Sequence, residues 1–298
     1  MDPPARTVEI GGRTLALSNL GKVLWPSTGF TEAQVVDYYA RVAPVMLPPL
    51  GRPVGDPAEV ARRGRSGVLF REELPAAPLG VGAGDHPGRR LLLLARRACR
   101  PGVDCQPGRG RAAPDPRLGT GPRPAPGGGA RPRPGPPADL LTCARVALVL
   151  RSALERLGLS AWAKTSGSKG IQLYGPTNTE VRYEATRDFA HRLARLVESA
   201  HPDLVVTTQD RRARAGKVLI DWAHNHPTKT TLCVYSLRAW TTPAASTPVT
   251  WEELDGALGG GDRGRLRFSP EEVLRRTGER GDLMAPLLEV AQELPRLA

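Results

Sequence analysis

A chain of 298 residues with 40% hydrophobic positions can bury one sizeable core, and its net charge of +12 favours a polyanionic partner, because Lys and Arg that neutralise phosphates release condensed counterions. The four cysteines, Cys99, Cys105, Cys143 and Cys233, form no CxxC pair, which argues against a zinc site or a disulfide framework and suits a reduced, cytoplasmic setting. No apolar signal core opens the chain, and runs such as Leu91 to Ala95 are too short to span a membrane.

Thr7 to Leu17 alternates around Gly11 and Gly12 and predicts a small hairpin. Lys22 follows in a polar stretch that leads to a Trp-Pro turn. Thr31 then caps a helix with Val35, Val36, Tyr39 and Val42 at helical spacing, which Pro48-Pro49 is expected to end. From residue 55 to residue 134 the character changes. Pro, Gly and Arg dominate, apolar periodicity disappears, and such a composition buries too little surface to offset its ordering entropy.

Globular patterning returns with Asp139, which can cap a helix carrying Leu140, Val146, Leu150, Leu154 and Leu157 and ending at Gly158. Ala161 to Lys164 and Ile171 to Tyr174 read as strands around the loop Ser166-Gly-Ser168-Lys169-Gly170. A helix from Tyr183 to Ala200, a strand from Leu204 to Thr207 and a second strand from Lys217 to Trp222 come next. Thr230 to Tyr235 reads as another strand, and Ser269-Pro-Glu-Glu272 as a capping box that opens a last helix. This alternation predicts an α/β or α+β class.

Two places suggest chemistry. Asp221 ends an apolar, β-rich run, where a carboxylate can hold a hard cation in a rigid frame; an ordinary solvated hairpin aspartate is the plainer reading. In Ser166 to Gly170 the glycines let backbone N–H groups approach a phosphate while Ser166, Ser168 and Lys169 add hydroxyls and a point charge. His224 and His226 lie two residues apart with no nearby Cys, which is poor zinc spacing and favours hydrogen-bonded turn histidines. Trp162 and Trp222 sit within strand patterns and read as core.

KVLIDW at Lys217 to Trp222, KTT at Lys229 to Thr231, YSLR at Tyr235 to Arg238, KTSGSKGIQLY at Lys164 to Tyr174 and the opening LSNLGKVLWPSTGFT together resemble the polymerase domain of bacterial ligase D, in the archaeo-eukaryotic primase superfamily. The resemblance covers the first fifty or so residues and nearly everything after Ala138. It implies a single primase-polymerase domain over residues 1 to 298, with an RRM-like sheet, nucleotidyl transfer to DNA ends or gapped DNA using Mn²⁺ or Mg²⁺ and a nucleoside triphosphate, and a role beside an end-joining ligase and an end-binding protein. By the same resemblance Asp221 is a metal ligand and catalytic residue, while Ser166, Ser168, Lys169, Lys229 and Arg238 meet the nucleotide. Lys22 and Arg214 would meet DNA, although each also reads as a solvated basic residue, and Glu32 stands where the family usually has a second lysine. Gln172 replaces a histidine common among relatives.

The family supplies two further aspartates from a DxD motif, whose position here reads Arg131-Pro-Arg-Pro134. One aspartate cannot assemble a two-metal site, so the chain as written is expected to lack polymerase activity and to serve, alternatively, as a catalytically dead module that binds DNA ends or a ligase. Reading frame offers an explanation. GC-rich codings of the family segments VTLRRWPDG, YEKNCP and FDLDPGP, translated in one shifted frame, give DPAEVARR, REELP and RPRPGP. These are Asp56 to Arg63, Arg71 to Pro75 and Arg131 to Pro136, in the family's order. A frameshift entering near Gly55 and leaving near Gly135 is therefore expected.

Overall fold

The computed structural model describes residues 6–10, 13–17, 19–50, 129–130, 132–134, 137–179, 181–210, 212–226, 232–238 and 240–297. Most of the Pro/Gly/Arg-rich stretch from 55 to 134, with Arg131, therefore lies outside the described residues, as do Lys229 and Thr230.

The opening hairpin forms as expected, β1 (Arg6–Ile10) against β2 (Arg13–Leu17), and a second small pair joins β3 (Val23–Trp25) to β4 (Phe30–Thr31). Thr31 begins α1 (Glu32–Leu50) with a reciprocal cap: its backbone N–H donates to the Gln34 side chain at 2.8 Å, and its hydroxyl accepts from the Gln34 N–H. The expected stop at Pro48-Pro49 is corrected, since the helix includes both prolines and runs to Leu50. Earlier turns anchor it by burying Val35, Tyr38, Tyr39, Val42 and Met46, and this packing outweighs the donors that proline removes in the last turn.

Two sheets build the centre. One is antiparallel, ordered β13 (Pro248–Val249), β7 (Trp162–Thr165), β8 (Ile171–Tyr174) and β5 (Gly129–Ala130). In the other, β10 (Val218–Ile220) lies between antiparallel β6 (Pro132–Pro134) and parallel β9 (Val205–Val206). Residues 129 to 134 thus supply one short strand to each sheet. Across both lies α2 (Leu140–Arg156), which packs on β6, β8 and β10 and buries Leu140, Cys143, Ala144, Val146, Ala147, Leu150 and Leu154.

Helix ends follow local chemistry. The Asp139 carboxylate accepts from the N–H groups of Leu141 and Thr142, and Gly158 supplies the left-handed residue (φ +72°) after α2. α3 (Tyr183–Ala200) has the expected bounds, and Thr250 and Ser269 form capping boxes for α4 (Trp251–Gly259) and α5 (Pro270–Arg280). A strand from Thr230 to Tyr235 does not form over the described part: Val234 and Tyr235 make a turn, and β11 begins only at Leu237, pairing as Leu237–Arg238 with β12 (Ala244–Ala245). Tyr235 takes a positive φ of 65°, which no extended strand accommodates. No described helix is long and apolar enough to cross a membrane.

Candidate nucleotide site

The loop between β7 and β8 is closed by its own side chain. Ser166 is buried, its backbone N–H donates to the Gly170 carbonyl at 2.8 Å, and its hydroxyl accepts from the Gly170 N–H at 3.0 Å. Ser166 therefore shapes the loop, leaving half-buried Ser168 and exposed Lys169 as the groups turned to solvent. Gly167, at φ +66°, is required twice over: a Cβ there would lie 2.6 Å from Cγ of Arg238 and 2.8 Å from the backbone carbon of Ala245. That close approach brings half-buried Arg238 against the loop.

Beneath the loop sits a residue that sequence reading treated only as part of a motif. Lys164 is 1% exposed, and its ammonium donates to the Leu232 carbonyl at 2.6 Å and the Ser246 hydroxyl at 2.8 Å. It ties β7 to the segment after Asp221 and to the chain beyond β12. Across the ladder, Gln172 is buried beside it, and its amide Nε2 has no hydrogen-bond partner among the described residues.

Asp221 ends β10 as expected and is 4% exposed. Its carboxylate lies 2.9 Å from His224 Nδ1 and accepts from Gln209 Nε2 at 3.4 Å. Arg214 completes the chain of contacts by donating to the Gln209 carbonyl at 2.5 Å and side-chain oxygen at 2.9 Å. Half-buried Arg214 therefore steadies the residue that bonds Asp221, and is not a merely solvated turn residue. Trp222 fixes the turn: its indole N–H donates to the Thr207 carbonyl at 3.2 Å, His191 stacks on the ring at 4.0 Å, and Arg187 lies over it at 5.2 Å. Trp222 and Trp162 both pack against the core, as expected.

Among the described residues the donor set around Asp221 does not supply a two-cation centre. Among the described residues no three His, Cys, Asp or Glu side chains converge, and the strand paired with β10 is Pro132-Arg133-Pro134, with Arg133 opposite Leu219 and Pro132 opposite Ile220. Cys143 and Cys233 are buried, and burial pushes the Cys143 thiol well above its ordinary range.

Lys22 is exposed in a turn closed by its own N–H to the Asn19 carbonyl at 2.8 Å, and its carbonyl accepts from the Glu32 N–H at 2.9 Å. The following turn is tied to the far side of the chain, where the Ser27 hydroxyl donates to the Thr241 carbonyl.

The family model described as LigD, primase-polymerase domain, matches residues 133 to 284. The chain belongs to the LigD primase-polymerase domain family. The multifunctional non-homologous end joining DNA repair protein LigD of Mycobacterium tuberculosis (strain H37Rv) is 35% identical over 294 residues, covering 92% of this chain and 37% of that protein. Its counterpart in Mycolicibacterium smegmatis is 35% identical over 282 residues, covering 91% and 36%. This chain therefore spans little more than a third of the length of these LigD relatives. Among solved structures, the polymerase domain of M. tuberculosis ligase D in complex with DNA aligns with a TM-score of 0.65 and 32% identity, over 93% of this chain and 99% of that one. The mixed helix and sheet architecture described above is thus the LigD polymerase-domain fold.

Proposed function

We propose that this chain is a single primase-polymerase domain of end-joining repair that engages DNA ends or gapped DNA and a nucleotide triphosphate, yet carries out no nucleotidyl transfer as it stands. The observation behind this reading is the strand beside Asp221, which offers two prolines and an arginine where a two-metal centre needs carboxylates. Among the described residues Asp221 is the carboxylate at this position that could hold Mn²⁺ or Mg²⁺, whose role would be to polarise the reacting oxygens, and its carboxylate is already engaged by His224 and Gln209.

Binding is the part the residues support. Lys169, Ser168 and Arg238 surround the Gly167 loop, and the unpartnered amide of Gln172 lies on the strand leaving it. Lys229 would join them. Exposed Lys22 suits a terminal phosphate of DNA, and the related structure was determined with DNA. A repair ligase and an end-binding protein are the proposed partners. The segment from 55 to 134 is a shifted reading of the family sequence; the family match beginning at residue 133, where the frame would resume, supports this.

The test is extension of a gapped, 5′-phosphorylated duplex with Mn²⁺ and nucleotides. The present chain should bind the duplex in a salt-dependent manner and add nothing, and the chain with the frame restored between codons 55 and 135 should extend the primer. Extension by the present chain, or binding without extension by the restored one, overturns the reading.

A further inference from the structure

Some described arginines are matched with carboxylates, such as Arg41 with Asp37, Arg151 with Glu155, Arg192 with Asp188 and Arg275 with Glu279. Lys169 and Arg267 are matched with an aromatic ring instead, beside the nucleotide loop. Both are exposed, neither makes an ion pair among the described residues, and both converge on one indole: the Lys169 ammonium and the Arg267 guanidinium each lie 5.6 Å from the ring centroid of Trp240. Two like charges gathered at one ring repel each other, against the cation–π attraction that draws each to it. A bound anion would remove the repulsion.

The position is also suggestive. Trp240 lies two residues beyond Arg238, which packs on Gly167 of the loop, and its neighbour Thr241 receives the Ser27 hydroxyl from the turn that follows Lys22. The indole therefore stands between the phosphate loop and the Lys22-bearing N-terminal turn. It is half-buried, so a face can be covered by a ligand without unfolding the chain.

We propose that Trp240 is a stacking platform for the base of a nucleotide whose phosphate is held between Lys169 and Arg267. This rests on the reading of the 166 to 170 loop as phosphate-binding and adds to it a base-contacting residue and a second cation. The nucleotide unit belongs either to a single-stranded DNA end or to a nucleoside triphosphate, and both present the same base-plus-phosphate chemistry.

Fluorescence anisotropy with a labelled oligothymidylate, and competition by ATP, test it on the full chain with Trp240→Ala, Trp240→Phe, Arg267→Ala and Lys169→Ala. Loss of one stacked base should lower oligonucleotide affinity about tenfold in Trp240→Ala, while Trp240→Phe keeps it within about threefold because any aromatic face can stack. Arg267→Ala should weaken binding and flatten its salt dependence by about one counterion. Thermal melting of each variant shows that the fold is retained. If ATP competition weakens in parallel, the occupant is a free nucleotide; if only the oligonucleotide is affected, it is a strand end, and either result supports the platform. Undiminished binding in Trp240→Ala with loss in Lys169→Ala overturns the platform and leaves the loop reading intact. Undiminished binding in both overturns the two together.

Discussion

The two sheets of this molecule differ in what each retains around its chemical residue. In the sheet of β7 and β8, the loop is closed by Ser166, Gly167 is packed against Arg238, and the buried Lys164 ammonium is satisfied from two directions. In the sheet of β10, the strand paired ahead of Asp221 is Pro132-Arg133-Pro134. A ladder is made by backbone groups and tolerates varied side chains, whereas the two-metal centre of the proposed reading depends on particular carboxylates. Strand pairing and the proposed chemistry therefore answer to different residues of one fold.

The sharpest contrast comes from Asp221 itself. In the frame-restored chain the proposed role of Asp221 as a metal ligand predicts that Asp221→Ala reduces primer extension by about three orders of magnitude. In the present chain the same substitution should leave DNA and nucleotide affinity within twofold, roughly the resolution of such binding curves. Anisotropy and extension assays on both backgrounds give the comparison, and a loss of DNA affinity in the present chain would assign Asp221 a role other than the one argued above.

Lys164→Ala attacks the better-preserved sheet. It leaves a buried carbonyl and hydroxyl without their donor and opens a cavity, and should cost about 3 kcal/mol of stability by urea denaturation. Gly167→Ala should cost less, about 2 kcal/mol from its positive φ and the contacts with Arg238 and Ala245, but should also weaken nucleotide binding by distorting the loop. Unaltered melting and binding in Gly167→Ala would show that the loop yields easily and is not preorganised.

The smallest effect concerns acid. Burial pushes the Glu253 carboxyl up, but hydrogen bonds from Arg276 and the Thr250 N–H, with the charges of Arg276 and Arg280, outweigh it and hold the group below its ordinary 4.5. A carboxylate depressed by folding stabilises the native state above its unfolded pKa and loses that contribution as pH falls through the folded value. Melting temperature should therefore decline below about pH 4.5, and Glu253→Gln should be less stable at neutral pH with a shallower acid decline. Parallel slopes for both proteins would remove Glu253 from the account.

Sequence was most informative where the determining chemistry is local. Asp139, Thr250 and Ser269 cap helices, and Gly158 stops one, through bonds within a few residues of themselves. It was misleading around Tyr235, where apolar residues resemble a strand. There the backbone turns because its partners come from afar: the Tyr235 hydroxyl donates to Asp282 at 2.7 Å, and its N–H to the Ser246 carbonyl at 2.6 Å. Trp240 was passed over for the same reason. Its two cations arrive from the loop at Lys169 and from Arg267, and no spacing along the chain announces them. Arg214 was legible as basic, but its tie to Asp221 through Gln209 is a property of the fold.

Two adjacent tyrosines near the start of the chain carry a further consequence. The Tyr38 hydroxyl donates to the Tyr235 carbonyl at 2.6 Å, and the Tyr39 hydroxyl accepts from the Leu237 N–H at 3.0 Å, so α1 grips the chain on both sides of Ser236. Side chains thus fasten α1 to a segment 197 and 198 residues further along the chain. Contacts so distant in sequence are rewarded only after a long loop has closed, so this junction raises the contact order and slows folding relative to the local helix caps.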